Sequence, residues 1–156
     1  MTSAPVLAVD GLVKHFPGHG GQTVHAVNGV SFTIAAGETL GLVGESGSGK
    51  STIGRTAIRL LQPTGGRILF KGQDISRLPE RACRKLRADM QMVFQDPWSA
   101  LNPRLKVGSL IEETLVLHTT LSAAQRRDKT VALAERVRLS PELLTRFPAD
   151  RLELVV

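Results

Sequence analysis

"LGLVGESGSGKST", residues 40–52, sets a short apolar run against a loop of glycines and serines that ends on a lysine and two hydroxyl residues. Gly44, Gly49, Lys50 and Ser51 fill the spacing G-x-x-x-x-G-K-[ST], and the flanks read as a strand before the loop and a helix after it. Glycine lets the backbone turn tightly enough for successive N–H groups to converge on phosphate oxygens. A helix starting near Lys50 adds the positive end of its dipole. Gly44, Glu45, Ser46, Gly47, Ser48, Gly49, Lys50, Ser51 and Thr52 are therefore the candidate contacts to a nucleotide. In a P-loop of this kind the lysine reaches the β- and γ-phosphates of ATP and the Ser51 hydroxyl ligates Mg²⁺. A glycine-rich turn can also be a plain connection, and the strand and helix on either side argue against that.

Working outward, "TLGLVG" (39–44) is short, apolar and bounded by glycine, which predicts a strand buried on both faces and carrying the loop. Ile53, Ala57, Ile58 and Leu61 recur at helical spacing, predicting a helix over 50–61 that stops at "QPTGG". Upstream, "VLAVDGLVKHF" (6–16) and "NGVSFTI" (28–34) read as strands separated by the glycine-rich "PGHGGQ". Downstream, "RILFKG" (67–72) and "MQMVF" (90–94) are further strand candidates, with the basic "SRLPERACRKLR" between them as a short helix. After Pro103 the period changes. Val107, Leu110, Ile111, Thr114 and Leu117 mark one helical stripe, and Ser122 with Gln125 can form a capping box. "SPELLTRF" opens with a serine cap and a proline at the first helical position. The expected organisation is an α/β nucleotide-binding core over 1–104, a partial α-helical subdomain over 105–147 and a divergent tail, 148–156.

Composition bounds the function. The chain has 156 residues, 42% of them apolar and 22% charged, the range of a folded domain or a piece of a larger one. No apolar run approaches the roughly 18 residues needed to span a bilayer, and the start lacks the basic and apolar segments of a signal peptide. A cytoplasmic protein is the expectation. The single cysteine, Cys83, has no catalytic partner in sequence and agrees with a reducing compartment. A formal charge of +6 favours anionic partners. Arg81, Arg84 and Lys85 would share one side of the short helix, but no aromatic residue is interleaved for base stacking, so a solvated face is favoured over nucleic-acid binding.

"AVNGVSFTIAAGETLGLVGESGSGKST", "PTGGRILFKGQDI" and "MQMVFQDPWSALNPR" together resemble the ATP-binding subunits of ABC transporters, most closely the oligopeptide, dipeptide and nickel importer branch. The resemblance runs from about Leu7 to Pro148. It implies the N-terminal portion of a P-loop NTPase of the ABC ATPase type, α/β in class, with part of the α-helical subdomain and an incomplete central sheet. It implies that Gln95, ending "MVFQ", is the Q-loop residue, which contacts Mg²⁺ and the attacking water and senses the membrane subunits. Phe16, ending "LVKHF", is the candidate for the aromatic that stacks on adenine, against a plainer reading as a core or edge aromatic. His25 could approach the same pocket or be a polar surface group. "DPWSALNPR" would be an interface stretch, with Trp98 either anchoring a partner or folded back on its own subdomain.

The implied cofactors are ATP and Mg²⁺. The implied partners are transmembrane permease subunits, a second ATP-binding subunit in a homo- or heterodimer and, indirectly, a solute-binding protein; no nucleic acid is expected. The implied place is peripheral, on the inner face of the cell membrane. The family's Leu-Ser-Gly-Gly-Gln signature and Walker B carboxylates are not found in these residues, and "ADRLELVV" departs from the family pattern. The expectation is therefore a subunit cut short, by a frame change or an early stop, that keeps nucleotide binding without hydrolysis by itself. "LGLVG" and "MQMVF" should then be left with unpaired backbone and exposed apolar faces. A non-enzymatic P-loop module that docks on transporter subunits is the alternative from another class. A P-loop kinase or a basic nucleic-acid binder does not account for the Q-loop block.

Overall fold

A computed structural model describes residues 4–96 and 100–149. The chain divides into two compact units, residues 1–91 and 92–156.

The first unit is built on β1 (Leu7–Pro17) and β2 (Thr23–Ile34), which pair antiparallel across the glycine-rich turn. β3 (Gly65–Phe70) lies on the other side of β1 and carries the two-residue β4 (Gln73–Asp74) at its edge, giving the order β2-β1-β3-β4. Branched and aromatic residues stand opposite one another where the ladder is regular: Val9 faces Phe32 on one side and Ile68 on the other. Such cross-strand pairs are the unit of sheet stabilisation. Val9, Leu12, Val27, Ile68 and Phe70 from the sheet bury together with Ala57, Ile75 and Met90. Ala57 belongs to α1 (Lys50–Ala57), which packs by Ile53 and Ile58 on that core. α2 (Glu80–Leu86) contributes Leu86 to the same cluster and fully buries Cys83, in keeping with an inert thiol. Its Arg81, Arg84 and Lys85 are all exposed.

In the second unit α3 (Val107–His118) packs against α4 (Ala123–Arg136) and a 3₁₀ turn, Pro141–Thr145. Val107, Thr130 and Ala134 are buried there. The Val107 amide donates to the Arg146 carbonyl at 2.9 Å, tying the start of α3 to the segment after the turn. The capping box forms as its spacing predicts: Ser122 Oγ accepts from the Gln125 amide at 3.3 Å, and the Ser122 amide donates to Gln125 Oε1 at 2.9 Å. Arg126 holds the helix pair from the side, donating to Glu112 at 3.3 Å and to the Leu121 carbonyl at 2.7 Å.

Four expectations are corrected. Residues 39–44 and 90–94 form no strand. Val43 and Val93 are 99% and 95% exposed, so the loop does not hang from a buried core strand. The unpaired backbone anticipated for these runs is the one observed, and most of their side chains are exposed, while Met90 is buried in the core. A β-strand exists only beside another strand, and among the described residues none is available to either segment. The helix predicted to Leu61 ends at Ala57, because the chain turns through a left-handed residue, Arg59 at φ +59°. The apolar stripe of α3 is buried only at its N-terminal half; Leu117 is 71% exposed. Ser140 makes no side-chain capping bond, although Pro141 does begin the turn. Trp98, and most of the tail, lie outside the described residues.

Candidate functional site: the loop before α1

The loop between Val43 and α1 is a sequence of tight turns. Gly44, Gly47 and Gly49 have φ of +158°, +82° and +87°, a region that side-chain-bearing residues rarely enter. At Gly49 the absent side chain is also required by space. A Cβ on Gly49 would lie 2.4 Å from the Ala26 carbonyl oxygen, and one on Gly44 would lie 2.8 Å from Ser48 Oγ. Thus β2 backs the end of the loop at Ala26, and the loop closes on itself between Gly44 and Ser48. The Ser48 amide donates to the Glu45 carbonyl at 3.2 Å, completing a turn inside it.

Gly49 is the N-cap of α1 and supplies no capping side chain. The first amides of the helix are therefore open to an external acceptor, at the end where its dipole favours negative charge. The first turn contains no acidic residue to compete for that place. Lys50 folds back over the loop, donating to the Gly44 carbonyl at 2.7 Å, the Glu45 carbonyl at 2.5 Å and Ser48 Oγ at 3.2 Å. Ser51 and Thr52 follow in the first turn, Ser51 exposed and Thr52 half-buried. Left-handed glycines, open helical amides and an ammonium group together favour an anion such as a phosphate. Glu45, Ser46 and Gly47 form the loop's exposed outer side.

Phe16 lies on β1 opposite Val24, half-buried, with Lys14 Nζ 4.7 Å from its ring centre. At the next position of the antiparallel ladder, one residue before Phe16 and one after Val24, His15 faces His25, and His25 directly precedes the Ala26 that backs the loop. The structure therefore brings Phe16 and the P-loop onto the same pair of strands. Gln95 belongs to the second unit, where it is exposed.

Sequence reasoning missed what anchors the far end of α1. Arg59, 5% exposed, donates from Nε to the Ile75 carbonyl at 2.8 Å and from Nη2 to the Leu78 carbonyl at 2.7 Å. Arg87 donates to the Ile58 and Arg59 carbonyls, each at 2.9 Å. A cation at a helix C-terminus offsets the negative dipole end. The only trace of this in the sequence is an arginine just past the apolar helix, where a surface residue reads equally well. Elsewhere in the unit, hydrogen bonds from the Ser76 hydroxyl and amide, with Arg67 beside it, hold the Asp74 carboxyl down at about 2.

Comparison with known proteins places this geometry. Residues 27–151 match the ABC transporter family. The chain is 46% identical to the "probable peptide ABC transporter ATP-binding protein" y4tS of Sinorhizobium fredii, over 95% of this chain and 44% of that protein. It is 49% identical to the oligopeptide transport ATP-binding protein AppF of Bacillus subtilis, over 93% of this chain and 46% of that one. The chain thus spans less than half the length of these curated relatives. Its fold is similar to the ATP-binding cassette MJ0796, solved as a dimer bound to ADP and phosphate, with a TM-score of 0.81 at 24% identity, covering 93% of this chain and 62% of that one.

Proposed function

Because the chain belongs to the ABC transporter family, we propose that it is the nucleotide-gripping portion of the ATP-binding subunit of a peptide importer, with ATP as its ligand. The observation that carries this reading is the loop before α1: glycines in conformations closed to other residues, open helical amides and Lys50 lie together in one short turn. Lys50 is pre-positioned there. Its bonds to the Gly44 and Glu45 carbonyls hold the ammonium over the loop, and a phosphate oxygen entering the loop would exchange for one or more of them. The amides at the start of α1 would then donate to the phosphate chain.

Ser51, in the first turn, is the side chain that would ligate Mg²⁺. When bound, that ion would neutralise charge between the β- and γ-phosphates. Phe16 would supply the flat surface for adenine. The names of the relatives support peptide as the cargo class. The dimeric cassette supports a second ATP-binding subunit as partner, and membership of the transporter family supports permease subunits in the membrane. No helix among the described residues is long and apolar enough to cross a bilayer.

Titration calorimetry of ATP with Mg²⁺ into the chain and into Lys50→Ala tests the reading. Binding is expected for the first and a loss of tenfold or more for the second. Equal affinity in the two, with both samples folded by circular dichroism, would remove the P-loop as the binding site.

A further inference from the structure

The strands that back the P-loop carry a second constellation. His15 on β1 and His25 on β2 are directly opposite in the antiparallel ladder, so both rings stand on one face of the sheet. The register shifts between Lys14 and His15: Lys14 pairs with Val27 and His15 with His25, leaving Ala26 as the extra residue of a bulge. Bulges pin the register and re-aim the neighbouring side chains. Here Nδ1 of His25 and Nε2 of His15 share a hydrogen bond at 2.9 Å, one ring donating and the other accepting, with ring centres 4.0 Å apart and the planes at 62°. His15 is half-buried and His25 is exposed, so water and small ions reach the pair. The outward nitrogens, Nδ1 of His15 and Nε2 of His25, make no hydrogen bond among the described residues. Either can therefore carry the ring proton and free the facing nitrogen as a lone pair.

Two metal–nitrogen bonds of about 2.0 Å meeting at about 90° hold their nitrogens roughly 2.8–2.9 Å apart, whereas a tetrahedral angle of about 109° needs roughly 3.3 Å. The 2.9 Å hydrogen bond holds the two nitrogens within this range, and an ion between them would displace the shared proton to an outward nitrogen. We propose that His15 and His25 form a two-nitrogen chelate for a divalent transition ion of tetragonal preference, Cu(II) or Ni(II), with water in the remaining positions. Imidazole suits both ions, and Cu(II) stands at the top of the affinity order for nitrogen ligands. No group of three or more His, Cys, Asp or Glu able to hold a metal occurs among the described residues, so the ion would keep most of its water. Because the ligands sit on different strands, a bound ion would cross-link β1 to β2 in the folded chain alone and stabilise it by mass action.

The test uses the whole chain, Cu(II) electron paramagnetic resonance and calorimetry with Ni(II) and Zn(II). Hyperfine structure from two imidazole nitrogens is expected at one equivalent of Cu(II). His15→Gln and His25→Gln should each weaken Ni(II) binding tenfold or more, while His19→Gln and His118→Gln leave it unchanged. As a second measurement, Ni(II) should raise the urea midpoint of the parent chain and of neither pair variant. Binding that is absent, or that survives both pair substitutions, overturns the site; tighter Zn(II) than Ni(II) overturns the tetragonal preference.

Discussion

Replacing Gly49 by alanine loads a strained backbone and a steric conflict onto one position. The residue has φ +87°, and a left-handed conformation costs an alanine about 1–2 kcal/mol. Its new Cβ would meet the Ala26 carbonyl oxygen at 2.4 Å, backbone that cannot swing aside as a side chain can. Either β2 or the start of α1 must move, and overpacking of this kind costs about 1–3 kcal/mol. The sum is about 2–5 kcal/mol, a large part of the stability of an ordinary small domain. Gly47→Ala is the internal control: φ is +82°, but nothing lies within 4 Å of the added Cβ, so only the backbone part applies. The entropy that alanine removes from the unfolded chain is common to both variants and cancels between them. Urea unfolding followed by circular dichroism should therefore place Gly49→Ala below Gly47→Ala by about 1–3 kcal/mol, roughly five- to 150-fold in the unfolding equilibrium. Gly49→Ala should also bind ATP more weakly, because the displaced residue carries the first helical amides. If the two variants unfold within about 0.5 kcal/mol of each other, the contact with Ala26 does not exist in solution and the backing of the loop by β2 is wrong.

Phe16→Ala should weaken ATP binding by about 1–3 kcal/mol and leave inorganic triphosphate unaffected, as measured by calorimetry with both ligands; equal losses would mean damage to the strand and no adenine platform. A polypeptide of these 156 residues should turn over no ATP above background in a phosphate-release assay. Lys50 and Ser51 can hold the reactant, but phosphoryl transfer also needs a carboxylate that orders metal and water. Turnover that vanishes in Lys50→Ala would contradict this. Asp74 should titrate at about 2 by carboxyl-carbon NMR, and Ser76→Ala should move it up towards the ordinary value of about 3.9, since the Ser76 hydroxyl is the largest cause of the depression. A depressed carboxyl contributes stability in full above that ordinary value and loses it as pH falls through about 2, so the Asp74 contribution should fade only in strong acid, and Asp74→Asn should remove it.

The loop and its helix were legible because their signals are local. Glycine at 44 and 49, lysine at 50 and a serine after it are dictated by bond rotations and by the charge of a phosphate, and both act within a few residues. The capping box at Ser122 and Gln125 was legible for the same reason, as were β1, β2 and β3, whose turns and β-branched runs lie next to one another in the chain. Tertiary structure decided the rest. "LGLVG" and "MQMVF" are as apolar and β-prone as any buried strand, yet a strand is a relation between two segments. Nothing in either run states whether a neighbour lies beside it, and Val43 and Val93 consequently stand in solvent. The buried Arg59 and the opposed His15 and His25 depend likewise on partners 10 or more positions away, met only once the chain has folded. Spacing along the chain determines what a turn can hold; only the folded backbone determines which side chains face each other.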